Sequence, residues 1–147
     1  MPEYERVLVP TDGSEGVDRT LDHAVRLAAD HGARVHALSV VDRRLTHAAA
    51  DAREDVTERL VDRAEGAVRD VADRVEAAGL TAETAVREGV PDKEIAAYAE
   101  EADVDVIVIG THGRTGRDRI ANLGSVTERV VQNADRPVFV IHIQGGD

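Results

Sequence analysis

The chain reads as an α/β protein, a doubly wound parallel sheet of five strands with helices on both faces. Three observations predict this. Short apolar runs of strand length alternate with longer stretches whose apolar residues recur at helical spacing. The run at 104–109, Val-Asp-Val-Ile-Val-Ile, is almost continuously apolar, as a strand covered on both faces must be. Glycines stand where helices should stop and where strands should give way to loops.

Each element follows from its own pattern. Val7, Leu8 and Val9 form a short buried strand ended by Pro10. Residues 12–16 turn the chain, and Asp12 or Ser14 caps the helix that follows. That helix carries Val17, Leu21, Ala24, Val25 and Ala28 on one face and stops before Gly32. Residues 35–41 are the second strand. A polar, alanine-rich loop leads to a long helix over about 51–78, striped by Val56, Leu60, Ala64, Ala67, Val68, Val71 and Val75 and ended by Gly79. Residues 81–87 alternate as a third strand. Pro91 opens a short helix with Ile95, Ala96 and Ala99 facing inward. Residues 104–109 are the fourth strand, 125–134 the last helix and 138–143 the fifth strand. No repeat or linker divides them, so one domain is expected over residues 1–147.

Composition narrows the function. Net charge is −11, and Lys93 is the only lysine among 18 basic residues. Such an acidic, lysine-poor surface fits a halophilic protein, and equally an arginine-rich codon usage. It argues against broad binding to nucleic acid or anionic lipid. Absence of cysteine removes disulfides and thiolate metal sites and suits a cytoplasmic setting. The start, Met1-Pro-Glu-Tyr-Glu-Arg, does not read as a signal peptide, and no apolar run is long enough to span a bilayer.

One segment departs from the acidic background. From Gly110 to Arg129 four arginines (114, 117, 119 and 129) face Asp118 and Glu128, a local charge of +2. Gly110, Gly113 and Gly116 interleave with these arginines, and Gly124-Ser125 then opens a helix. Closely spaced glycines let main-chain N–H groups converge, and a helix start adds unpaired N–H groups and the positive end of the dipole. This is the chemistry of a phosphate cradle. Surface ion pairing of the same arginines is the plain alternative. Asp12 has two readings as well: acceptor for a ribose hydroxyl or ligand for a divalent cation, or an Asx-turn and helix cap.

The pattern Gly110-x-x-Gly113, a spacer and Gly124-Ser125 resembles the ATP-binding signature of the universal stress protein family. The likeness runs from Val7-Leu-Val-Pro-Thr-Asp-Gly-Ser14 to Pro137-Val-Phe-Val140. It implies strand order 3-2-1-4-5, a three-layer Rossmann-like or flavodoxin-like arrangement. Strands one and four are then neighbours at the switch point, beyond whose carboxyl ends ligands bind. It further implies ATP lined by Pro10, Thr11, Asp12, Val40, Ile109, Gly110, Gly113, Arg114, Gly124, Ser125 and Val126. Val40 would offer its main chain to adenine, Ile109 would pack on the base, and Asp12 would help hold Mg2+. A homodimer through the strand at 138–143 is implied too. One departure stands out: the spacer at 114–123 holds ten residues, one more than the family pattern usually has.

The expected function is a dimeric, ATP-dependent regulatory module of the stress response, acting on an unidentified protein partner. The chain has no Gly-x-x-x-x-Gly-Lys loop and no Gly-x-Ser-x-Gly elbow, and its histidines lack partners at metal-ligand spacing. His112 alone makes no base. Any hydrolysis should therefore be slow. The alternatives are a nucleotide-free interaction module, to which the longer spacer points, and a slow hydrolase or phosphotransferase with Ser125 or Thr111 as acceptor. A receiver domain lacks its acidic acceptor and its lysine.

Overall fold

The computed structural model describes residues 4–13, 17–43, 53–111 and 124–143. In chain order these form β1 (Arg6–Pro10), α1 (Val17–His31), β2 (Arg34–Asp42), α2 (Arg53–Ala77) and β3 (Ala82–Gly89). After them come α3 (Pro91–Glu101), β4 (Val106–Gly110), α4 (Ser125–Asn133) and β5 (Val138–Ile141). The sheet has order β3-β2-β1-β4-β5 and every pairing is parallel. Both the fold class and the strand order are as expected.

Strand parity divides the core. Val7, Val9, Val35, Ala37, Val106 and Val108 face α1 and α2, where Leu21, Ala24, Ala28, Val68, Val71 and Val75 meet them. Leu8, Leu38, Ile107 and Ile109 face the other way, onto Ile95, Ala99 and Val130 of α3 and α4. Full burial of one such side chain contributes about 1.5–3 kcal/mol, far more than helix propensity supplies per residue. The apolar stripes therefore hold the helices on the sheet. Gly32 and Gly79 end α1 and α2 with φ of +66° and +81°, a left-handed turn that a Cβ would resist.

Three details differ from the periodicity, and the first is that β5 ends at Ile141 rather than 143. In α3 Ile95 and Ala99 are buried but Ala96 is exposed, because it sits one residue, about 100°, around the helix from Ile95. The fourth strand begins at Val106 rather than 104. Asp105 is diverted: its carboxylate accepts the N–H groups of Glu5 and Arg6 at 2.8 and 3.0 Å, clamping the start of β1. Asp103 before it adopts φ +53°, closing α3 with Val104 N–H on the Ala99 carbonyl at 2.9 Å. Among the described residues no helix is long and apolar enough to cross a membrane.

Candidate functional site

Three strands deliver the candidate residues to one end of the sheet. β1 stops at Pro10, which is in register with Leu38, and Thr11 N–H then donates to the Leu38 carbonyl at 2.8 Å. Thr11 is buried, and its hydroxyl accepts the Gly13 N–H at 3.1 Å, so the chain curls back around Asp12 and leaves that residue exposed. A Thr-anchored turn of this kind is set by local hydrogen bonding.

β2 runs four residues beyond Leu38, still paired with β3 as far as Gly89. Arg34 and Leu38 direct main-chain groups to β1, whereas Val35 N–H goes to Thr81 on the β3 side. By the strand's period of two, Val40 turns its own N–H and C=O to the β1 side, above the point where β1 has ended. A main-chain donor and acceptor beyond the end of β1 is the feature an adenine edge would need. The Val40 side chain, half-buried, packs on the α3/α4 face with Ile109 and Val126. Ile109 is only 6 % exposed, so its side chain belongs mainly to the core.

The glycine segment is tied at both ends. Gly124 N–H donates to the Thr111 carbonyl at 2.6 Å, and the buried Thr127 hydroxyl donates to the Gly110 carbonyl at 2.7 Å. These bonds dock the first turn of α4 on the carboxyl end of β4. The extra spacer residue therefore leaves Gly124 and Ser125 anchored at β4, since the loop starts and finishes on one hydrogen bond. Gly113 and Arg114 lie outside the described residues, as does the rest of the spacer.

Gly124 is the N-cap of α4 without a side-chain cap, and Glu128 N–H makes the first helical bond, to its carbonyl at 2.9 Å. Ser125, Val126 and Thr127 thus have N–H groups with no carbonyl partner within the helix. Together with the helix dipole they favour an anion at this spot. Ser125 is exposed and occupies the first helical position, so its hydroxyl is not the cap.

Gly110 has a different neighbourhood from a bare phosphate approach. A Cβ there would overlap the Ile143 Cδ1 and lie 2.9 Å from the Thr20 hydroxyl of α1. Thr111, 6 % exposed, gives its N–H to the Ile141 carbonyl at 3.0 Å and accepts the Ile143 N–H on its hydroxyl at 3.0 Å. Sequence patterns did not single out Thr20, Thr127 or Ile143. Thr127 carried a faint signal, a hydroxyl on the inward face of a helix that otherwise buries valine.

For a metal, the described residues offer no group of three or more His, Asp or Glu. Mg2+ suits such a sparse site, since it takes one or two carboxylates and completes its shell with phosphate oxygens and water. Asp12 is an exposed carboxylate at this end of the sheet.

A second polar cluster lies away from this end. His36, 5 % exposed on β2, has Nδ1 2.7 Å from the Tyr98 hydroxyl and Nε2 3.4 Å from a Glu83 carboxylate oxygen. Burial pulls its pKa below the usual histidine value, against the opposing pull of Glu83. Arg87 lies over the Tyr98 ring at 5.0 Å and is held by Glu101 through two 2.9 Å bonds.

Comparison with known proteins agrees with this architecture. The model of the universal stress protein family matches residues 3–142. A universal stress protein of Methanocaldococcus jannaschii is 39 % identical over 140 residues, covering 94 % of this chain and 82 % of the relative. A second protein of that organism, 28 % identical, superposes with a TM-score of 0.87 over 99 % of this chain and all of its own. A universal stress protein of Lactobacillus plantarum gives 0.82 at 32 % identity, over 96 % of this chain and 99 % of its own. More distant members share the fold: one solved in complex with cAMP (24 % identity, TM-score 0.69) and one from Archaeoglobus fulgidus with dAMP (23 %, 0.69), each over 97 % of this chain and all of its own. The chain belongs to the universal stress protein family.

Proposed function

We propose that this chain binds an adenine nucleotide, ATP with Mg2+, and uses it as a regulatory signal rather than as a substrate for rapid turnover. The observation that carries the reading is the docked start of α4. Three N–H groups without helical partners stand at the carboxyl end of β4, next to β1 and Asp12 in the sheet order. The main chain of Val40 supplies the base-recognising edge on the other side of β1. Phosphates would sit on the N–H groups of Ser125, Val126 and Thr127; the expected Gly124 amide is taken by the Thr111 carbonyl, and Asp12 would share Mg2+ with the phosphates. Pro10 and Thr11 shape the floor, and Gly113 with Arg114 would complete the phosphate side.

The cAMP and dAMP complexes support the capacity of the fold for an adenylate. Isothermal calorimetry with Mg-ATP, Mg-ADP and AMP tests the reading, with saturable binding expected for at least one. No heat from any of the three, with the protein folded, would leave a nucleotide-free interaction module. That second reading draws on the longer spacer, although the anchoring of Gly124 weakens it. An ATPase assay above buffer background would instead favour a hydrolase.

A homodimer belongs to the same proposal. β5 is an edge strand, and Phe139 on it is 40 % exposed. An unpaired apolar edge is an aggregation liability that pairing across a two-fold axis removes. The cysteine-free chain suits a reducing, ATP-rich cytoplasm.

A further inference from the structure

We propose that Ile143 is a positioning residue for the nucleotide site, acting through Gly110 and Thr111 on the start of α4; this rests on the nucleotide reading above. Ile143 lies just beyond β5, outside both loops that form the crevice. Its N–H donates to the Thr111 hydroxyl at 3.0 Å, and its side chain fills the space a Cβ would take on Gly110, beside the Thr20 hydroxyl. Two residues earlier, the Ile141 carbonyl accepts the Thr111 N–H at 3.0 Å. The segment 141–143 therefore grips the last residue of β4 and the residue after it from one side.

From the other side the same two residues hold α4. The Gly110 carbonyl takes the Thr127 hydroxyl, and the Thr111 carbonyl takes the Gly124 N–H. Both hydrogen bonds that tie the start of α4 to β4 among the described residues thus end on a dipeptide in contact with Ile143. Glycine at 110 is explained by the same contact. The main chain must pass close under the Ile143 side chain, and any larger residue would push that side chain, the dipeptide, or both out of line.

The test compares wild type with Ile143→Ala and Ile143→Val, first without nucleotide and then with Mg-ATP. In Ile143→Ala the Gly124 and Thr111 amides should exchange with solvent about tenfold faster, and Mg-ATP affinity should fall by a similar factor, within the usual range for coupled sites. The Glu128 amide and the melting temperature should change little, which separates positioning from general loss of stability. Ile143→Val, which loses only the Cδ1 atom lying against Gly110, should shift both readouts by an intermediate amount. Gly110→Ala combined with Ile143→Ala should cost less than the two separate effects together, because the overlap is relieved. Unchanged Gly124 exchange in Ile143→Ala overturns the proposal, as does an unchanged affinity where wild type binds. If wild type binds no nucleotide, the functional reading falls, and the Gly124 exchange alone decides the positioning role.

Discussion

The carboxyl end of the sheet and the His36 corner are both polar places in an apolar fold, and they are built in opposite ways. At the His36 corner side chains meet side chains: imidazole on phenol, phenol under guanidinium, guanidinium on carboxylate. Each group has a neighbour of its own within the cluster, His36 Nε2 alone standing 3.4 Å from Glu83 without a hydrogen bond, and burial lowers the imidazole pKa. At the carboxyl end the side chains of Thr11, Thr111 and Thr127 are spent on main chain, and the start of α4 keeps N–H groups without helical partners beside the exposed Ser125. A cluster that closes on itself holds strands and helix together. One that fixes backbone donors without pairing them inside the helix leaves groups an anion can use.

The sharpest break of this contrast is at Gly110. Gly110→Val should lower stability by about 1–3 kcal/mol, because the added carbons overlap the end of the Ile143 side chain and approach Thr20; denaturant unfolding measures it. Next comes Asp12→Ala. The loss should fall on Mg-ATP binding, by about 1.5–3 kcal/mol, the range for a bond to a charged group, more than on stability. Equal losses in both would mean that Asp12 is only a cap.

Thr127→Val should cost about 1–2 kcal/mol, since it leaves the Gly110 carbonyl without its 2.7 Å donor in a part-buried place. Unlike Asp12→Ala, it should reduce stability and nucleotide affinity together.

The His36 corner predicts a pH effect of smaller size. The folded pKa of His36 lies below its unfolded value of 6.5, so the unfolded chain takes up the proton first. Stability from this group is complete above about 6.5 and is lost as pH falls towards the folded pKa. In His36→Leu the difference in unfolding free energy between pH 7.5 and 5.5 should be smaller than in wild type. An unchanged difference would mean that other groups carry the acid sensitivity. Smallest of all is Arg74→Ala. Its pairs with Asp18 and Asp22 are exposed, so a change of about 0.5 kcal/mol or less is expected in denaturant titration.

Much of this molecule is legible in its residues. Apolar spacing predicts the five strands and four helices of the described residues in order, and glycine marks the ends of α1 and α2. The misreadings are local and have causes. Ala96 is apolar but small, so nothing in its chemistry opposed exposure, and the i, i+4 pair Ile95 and Ala99 had already set the buried face. Val104 is buried but precedes a residue whose carboxylate is drawn to β1, which delays the strand. His36 looked like one of several scattered histidines. Its parity with Leu38, two residues on along β2, was the available sign that it faces inward.

Apolar periodicity and glycine placement determined the elements, their order and the parallel sheet, because those depend on neighbours a few residues apart. The glycine segment and its charge identified where an anion would be held. Only the tertiary structure decided how that segment is held. Thr111 meets Gly124 across the spacer, Thr127 reaches Gly110, and Ile143 returns from the last strand to wedge both. The spacer raised the question of whether Ser125 stays in reach of the crevice. No local pattern carries the answer, because the hydrogen bonds that fix Gly124 join residues separated by the whole loop and depend on where the sheet has put β4 and β5.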